Sequence, residues 1–368
     1  MKVLITGSNG FIAKNLIVAL NRNADYELFL FNRNNSLSEL EALIKIADFI
    51  IHLAGVNRPE NVSEFYQGNT DLTKTLIELT EKHKRDIPLL FASSTQAIHD
   101  NDYGKSKLAA EELVYTYSQR NKVPVFIYRL PNVFGKWCRP NYNSVIATWC
   151  YNTTHDLPIQ INNRNTLLSL VYIDDVIESF ISCLDSTTQA QLLIDVKPVY
   201  KKTLDEIETL LTQFKNSRES LLITRVGDGF ERALYGTYLS YLPTDNFSYE
   251  LKGHSDARGT FYEILKTIDS GQFSISTTQS GITRGNHYHD TKNEKFLVIK
   301  GEALIELRHI LTEDIIQYPV SEKKMQIVEM ITGYTHNITN TGDTEMVLLI
   351  WANETFKPEH PDTHFLKV

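Results

Sequence analysis

Tyr103 and Lys107 stand four residues apart in the run Asp102-Tyr103-Gly104-Lys105-Ser106-Lys107. On a helix that spacing puts both side chains on one face. A phenol beside an ammonium is a proton-delivery pair, because the cation favours phenolate and draws the tyrosine pKa down toward working pH. Such a group protonates a carbonyl oxygen as hydride arrives, or takes the proton back in reverse. Ser94, just upstream in Ser93-Ser94-Thr95, offers a second hydroxyl to the same oxygen. A different chemistry is written further along. Seven of the eleven histidines lie beyond residue 246, and Gly285-Asn286-His287-Tyr288-His289 contains a His-x-His. In a strand, residues i and i+2 face the same side, so His287 and His289 converge. Glu294 on the next strand and His336 in Gly333-Tyr334-Thr335-His336-Asn337 complete a set of three imidazoles and one carboxylate. That set suits zinc or another first-row metal.

The elements that must position these groups are legible in outline. Residues 3–7 read as a buried strand. It runs straight into Gly7-Ser8-Asn9-Gly10-Phe11-Ile12-Ala13 and a helix through Leu20. Gly-x-x-Gly-x-x-Ala between strand and helix is the context of a dinucleotide site. Small residues let the backbone approach a pyrophosphate, and the helix start offers free N–H groups to it. Gly7, Asn9, Gly10, Phe11 and Ile12 are the expected border of that site. A second strand, Glu27 to Phe31, ends at Asn32-Arg33. An NAD-selective site usually carries Asp or Glu about 20 residues past the last glycine position. Arg33 stands there instead and would welcome a 2′-phosphate, so the expected cofactor is NADP(H). The strand Asp48 to Leu53 ends in the small residues Ala54-Gly55, which let the ribose and nicotinamide lie close, and Leu53, Ala54 and Gly55 are the expected cofactor contacts there. Strands continue to alternate with helices through Val125-Phe126-Ile127-Tyr128-Arg129, which argues for a doubly wound parallel sheet with its site at the carboxyl ends of the strands. Past residue 246 the period changes. Short stretches alternating apolar and polar residues, such as Phe273 to Ser276 and Ala303 to Leu307, read as a β-sandwich or barrel. The expected division is 1–243 and 247–368, with Pro243 and its polar neighbours at the boundary.

The first part resembles the extended short-chain dehydrogenase/reductases that modify nucleotide sugars. The resemblance rests on the Gly7/Gly10/Ala13 turn, His52-Leu53-Ala54-Gly55, Asn69, Ser93-Ser94, Tyr103-x-x-x-Lys107, Arg129-Leu130-Pro131-Asn132-Val133-Phe134-Gly135 and Tyr172-Ile173-Asp174-Asp175-Val176. It implies that Tyr103 is the acid, that Lys107 tunes it and holds the cofactor ribose, and that Ser94 bonds the substrate oxygen, with Thr95 competing if the register is one off. Ala13 replaces the usual third glycine, and Ile98 stands where many members have a tyrosine. By the resemblance, Lys136 to Asn143 lie where the nucleotide sugar is held; Arg164 is a candidate diphosphate ligand, because two phosphates want a fixed cationic fork. The second part resembles the cupins, a jelly-roll family, on His287, His289, Glu294, Gly301 and His336. It resembles their deoxyhexulose-epimerase branch on Asp256 to Glu263 and Thr283 to Tyr288. In that branch the residue matching His287 is a general base without a metal. Here the ligand set is complete, and a coordinated imidazole has no lone pair for a proton, so the metal is preferred and the base is left among Lys295, His309 and Tyr334.

The two-part chain, with Gly55-Val56-Asn57-Arg58-Pro59-Glu60 and Asn132 to Cys138, resembles bacterial capsular-polysaccharide enzymes that fuse these domains. That resemblance implies C3 epimerisation of a UDP-2-acetamido-2,6-dideoxy-4-hexulose by the cupin. Reduction of the C4 ketone by NADPH follows, giving UDP-2-acetamido-2,6-dideoxy-L-talose on the way to UDP-N-acetyl-L-fucosamine. It also implies a homo-oligomer, a dimer or tetramer, joined through the cupin. A one-step reductase with a purely structural metal module is the rival reading. Bulk properties set the limits. The chain has 368 residues, 42% hydrophobic and 22% charged, with a net charge of −8. Nothing general favours nucleic acid or an anionic membrane. Cys138, Cys150 and Cys183 are an odd number without metal spacing and read as reduced thiols. No apolar run of about 18 residues occurs, and the opening strand is too short for a signal peptide, so the expected location is the cytoplasm.

Overall fold

The computed structural model describes residues 1–185 and 191–368. The chain divides into two compact units, Met1–Leu211 with Arg232–Pro243, and Thr212–Glu231 with Thr244–Val368. Residues 212–231 group with the second unit, where Leu222–Ile223 runs parallel to the strand Gly259–Thr267.

The first unit is built on a six-stranded sheet. Its strands β1 (Lys2–Thr6), β2 (Glu27–Phe31), β3 (Phe49–His52), β4 (Leu89–Ser94) and β5 (Val125–Leu130) lie in the order β2-β1-β3-β4-β5, with Gln191–Ile194 outside β5. Every pairing in it is parallel. A parallel sheet is covered on both faces, which is why its strands read as nearly unbroken apolar runs. Alternate residues feed two separate cores. Val3, Ile5, Phe126 and Tyr128 pack with Leu16, Val176 and Phe180. Leu4, Val125 and Ile127 pack with Leu40, Leu76 and Val114. The strand order reverses between β1 and β3, and such a switch point is where open α/β sheets bind ligands.

That switch point is tight because of one glycine. Gly7 follows β1 with φ +69°, and a Cβ on it would lie 2.6 Å from the Ala54 backbone nitrogen. A side chain there is excluded by both sterics and the left-handed backbone. Gly10 caps helix α1 (Phe11–Leu20), whose first turn carries neither a side-chain cap nor an acidic residue. Among the described residues, no side chain bonds its leading N–H groups.

The second unit is β-rich. One sheet of seven strands and one of five share a core made by Phe296, Val298 and Leu348 from the first and Ile305, Leu307 and Ile338 from the second. Among the described residues, no helix is long and apolar enough to cross a membrane.

Candidate functional sites

In the first unit, the end of β4 and the start of the helix Asp102–Asn121 are locked together. Ser94 is the last residue of β4 and accepts a hydrogen bond from the Gln96 backbone nitrogen at 3.1 Å. Asn101 caps the helix through the Gly104 nitrogen at 2.8 Å. Gly104 is obligatory in this packing, because a Cβ on it would come within 2.3 Å of the Gln96 carbonyl oxygen. Tyr103, in the first turn, is half-buried with its ring 5.6 Å from that of Phe65 and its hydroxyl beside that of Ser94. Thr95 is exposed. The structure thus brings Ser94, not its neighbour, to the phenol.

Lys107 is fully buried one turn on. Its Nζ donates to the Ala92 carbonyl at 2.7 Å and lies 4.3 Å from the centroid of the Phe91 ring. This departs from the expected electrostatics. Burial raises the Tyr103 pKa, only partly opposed by the Ser94 hydroxyl, and no lowering by Lys107 enters. The ammonium itself is destabilised, with burial bringing Lys107 down to about 8 against a partial offset from Glu111. The ammonium's charge is met by a backbone carbonyl of β4 and the face of the Phe91 ring.

The cofactor-side residues gather at the same end of the sheet. Gly7, Asn9, Gly10, Phe11 and Ile12 follow β1, while Leu53, Ala54 and Gly55 follow β3. A Cβ on Gly55 would lie 3.9 Å from the Lys107 Nζ and 2.7 Å from the Asn69 side-chain oxygen. Asn69 is buried, bonding the Val56 backbone and the Ser106 hydroxyl. It sits in a π-helical stretch, Tyr66–Asp71, which runs into the helix Leu72–Lys82. A π-helix carries one extra residue per turn and often marks a functional site. Arg33 is exposed beyond β2. Arg164, implied as a diphosphate contact, instead pairs with Asp205 at 2.6 Å and Glu208 at 3.4 Å.

In the second unit, His287 is on the strand Thr283–Tyr288, His336 on Tyr334–Asn340 and Glu294 on Glu294–Lys300. The first two strands belong to the five-stranded sheet and the third to the seven-stranded one. A bulge at Asn286, with φ +60°, shifts the register so that His287 faces His336. His289 lies past the strand's end, so strand alternation alone does not aim it. All four donor atoms nevertheless fall within 4.8 Å of one another. Glu294 is 3.3 Å from His289 Nε2 and 3.4 Å from His336 Nε2. Burial pushes the Glu294 carboxyl up, but the His289 and His336 contacts and the Lys292 charge hold it below the usual carboxylate range. Burial, with His336 and His289 close by, brings His287 down to about 4. His336 is 2% exposed, and both its ring nitrogens lack a well-formed hydrogen bond. Buried polar atoms are normally paired. An unmatched imidazole among two others and a carboxylate fits a metal ion. Of the three bases considered, Lys295 pairs with Glu329 on the opposite face of its strand, and the His309 and Tyr334 rings touch each other at 5.0 Å. Tyr334 shares a strand face with His336.

Comparison with known proteins bears on both halves. Residues 3–192 match the model of the NAD dependent epimerase/dehydratase family. The chain belongs to that family. Residues 254–364 match the polysaccharide biosynthesis C-terminal domain. A Pseudomonas aeruginosa relative of the same two-part length, UDP-2-acetamido-2,6-beta-L-arabino-hexul-4-ose reductase, is 51% identical over 100% of this chain and 99% of its own. The crystal structure of the capsular polysaccharide assembling protein CapF from Staphylococcus aureus superposes with TM-score 0.93 at 46% identity, covering all of both chains. A structure of CapF with the inhibitor 3-isopropenyl-tropolone superposes with TM-score 0.88 at 42% identity, again over all of both chains.

Within this family frame, sequence reading passed over several polar partners. Glu111 lies one further turn along the face that carries Tyr103 and Lys107. It accepts from Arg129 Nη2 at 2.6 Å and from the Ser93 hydroxyl. The i+4 spacing from Lys107 was the available signal. His52 is clamped between the Thr6 and Thr73 hydroxyls at 2.6 and 2.9 Å, and burial brings it down to about 3. Lys292 and Asp362 border the histidine cluster, and nothing local in the sequence marks either.

The buried ammonium yields a pH prediction. The unfolded chain holds the Lys107 proton with the ordinary lysine value of 10.5, and the folded chain with about 8. The fold is therefore penalised at neutral pH, and the penalty disappears as pH rises from about 8 toward 10.5. Lys107→Met should stabilise the protein, measured without added cofactor, by up to about 3 kcal/mol at pH 7. That advantage should shrink markedly in denaturation curves at pH 9.5. An equal gap at both pH values would contradict the burial argument.

Proposed function

We propose that the chain is a bifunctional nucleotide-sugar enzyme of capsular polysaccharide synthesis. It epimerises C3 of a UDP-2-acetamido-2,6-dideoxy-4-hexulose in the second unit and reduces the C4 ketone in the first, giving UDP-2-acetamido-2,6-dideoxy-L-talose. The observation that carries this reading is that one chain holds two separate polar sites. One is a Ser–Tyr–Lys group at the carboxyl ends of a parallel sheet, and the other is a three-histidine, one-glutamate cluster between two sheets. The full-length likeness to a 4-hexulose reductase supports the second step.

The chain's residues divide the work as follows. In the reductase site, NADPH supplies the hydride when bound. The open N–H groups of α1 suit its pyrophosphate, and the close approach at Gly7 leaves room for it beside Leu53, Ala54 and Gly55. Ser94 holds the substrate oxygen, and Tyr103 delivers the proton that turns the carbonyl into an alcohol. Lys107, one turn below and beside Gly55, holds the cofactor ribose. In the second unit we assign the fold to the cupin jelly-rolls, with His287, His289, Glu294 and His336 holding a divalent metal such as zinc. That ion would supply Lewis-acid chemistry to the ketone oxygen. The protein's part there is to fix the four donors and exclude water. The order of steps follows from carbon acidity: the C3 proton is labile only while C4 is a carbonyl that can take up the charge.

The two activities should separate by mutation. Tyr103→Phe should lower the turnover of ketone reduction about 10²–10⁴-fold while deuterium from D2O still enters C3 of the ketosugar without NADPH. His336→Ala should abolish that labelling and leave NADPH oxidation with an already epimerised ketone in place. Labelling that survives in His336→Ala would take the exchange out of the histidine cluster, and a parent protein that shows no labelling would favour the one-step reductase, the activity for which the P. aeruginosa relative is named. Arg33 tests the cofactor choice. A charged hydrogen bond to a 2′-phosphate contributes about 1.5–3 kcal/mol, so Arg33→Ala should raise KM for NADPH about 10–100-fold with little effect on NADH. Equal changes for both cofactors would remove Arg33 from the site.

A further inference from the structure

The loop between Tyr288 and Glu294 joins one sheet to the other and carries a candidate metal donor at each end, His289 and Glu294. Its intervening backbone has no strand partner. The Asp362 carboxylate, some seventy residues later, supplies one. Its Oδ1 accepts from the Asp290 nitrogen at 2.8 Å, and its Oδ2 accepts from the Thr291 and Lys292 nitrogens, each at 2.8 Å, and from the Thr291 hydroxyl at 3.0 Å. The Asp362 backbone carbonyl takes the hydrogen bond of His289 Nδ1. A carbonyl can only accept, so Nδ1 carries the proton and the lone pair of the neutral ring is at Nε2, the atom 3.3 Å from Glu294.

The segment that presents Asp362 is itself tied down. Phe365 pairs with His287 across the sheet edge. The Leu366 nitrogen donates to the Asn286 carbonyl at 3.0 Å. Arg308 donates to the Lys367 carbonyl at 2.7 Å, the Thr335 hydroxyl to that of Leu366, and Lys292 Nζ to the Thr363 hydroxyl at 3.3 Å. Residues on three strands thus hold one short stretch against the histidine cluster. Asp290, Asp362 and His364 also lie close enough to suggest a second ion site. Both Asp362 oxygens are already taken by backbone N–H groups, however, and the other two side chains are exposed, so the group reads as a clasp.

We propose that Asp362 is the positioning residue of the cluster in the second unit: its carboxylate clasps the 289–294 loop, and by doing so keeps its main-chain carbonyl on His289 Nδ1 and fixes the spacing of His289 and Glu294 for a divalent metal. This rests on reading the cluster as a metal site. Outer partners of metal-bound histidines typically account for about 10–100-fold in metal affinity.

The test is zinc affinity of the full-length chain by competition with a chromophoric chelator, with circular dichroism confirming the fold. The parent should bind one zinc ion per chain. Asp362→Ala should bind it about 10–100-fold more weakly, and Asp362→Asn, which keeps one acceptor oxygen, by a smaller factor. At saturating zinc, Asp362→Ala should also show a lower turnover number for C3 deuterium exchange, an effect that a purely stabilising role would not produce. Asp362→Ala binding zinc within twofold of the parent, or Asp362→Asn doing so if the alanine variant does not fold, overturns the clasp while leaving the metal reading intact. A parent protein that binds no zinc overturns the metal reading, and the clasp with it.

Discussion

Burying a charge costs several kcal/mol unless partners replace the water it loses, and each half of this chain is built around one such charge. In the first unit it is the ammonium of Lys107, wholly enclosed, with a single backbone carbonyl and an aromatic face for company. In the second it is the carboxylate of Glu294, set among imidazoles. The two are handled in opposite ways. Lys107 is under-compensated, and its proton is loosened as a result. Glu294 is over-compensated, and its carboxylate is held ionised despite its burial. A buried ammonium beside Gly55 suits a cofactor's polar groups, whereas a carboxylate held ionised among imidazoles suits a fixed cation.

These two environments match two chemically distinct demands. Reduction needs a proton delivered to one oxygen at the moment hydride arrives, which calls for a donor aimed by a helix start: the Asn101 cap, the Gly104 contact and the Phe65 ring all aim Tyr103. Epimerisation needs charge on the ketone oxygen to be tolerated while a carbon loses and regains its proton. That calls for fixed positive potential in a dry site between sheets. In the proposed reaction one ketone serves both, first as an electron sink and then as the group consumed, which would have the sites act in sequence on adjacent carbons.

Much of this was readable from spacing. The β1–glycine–helix turn and the shared helix of Tyr103 and Lys107 follow from spacing in the chain, whereas the His287/His289 pair converges although His289 lies past the end of its strand. What escaped depends on contacts distant in sequence. The direction of the Lys107 side chain is set by the Ala92 carbonyl and the packing around Phe91. The register that brings His287 opposite His336 depends on a left-handed Asn286, and no alternation rule predicts that bulge. Asp362 acts on a loop about seventy residues before it and has no local signature at all. Asn69 was noticed, but its π-helical setting was not, because a one-residue widening of a helix leaves the apolar pattern almost unchanged.

The central claim is that the C3 proton is exchanged before the C4 ketone is consumed. The direct measurement is a single turnover of the intact protein in ordinary water, with NADPH and a UDP-4-hexulose carrying deuterium at C3, followed by mass analysis of the reduced sugar. The account predicts a product that has lost its deuterium and carries inverted C3. A reduced product that keeps the deuterium at C3 would contradict it.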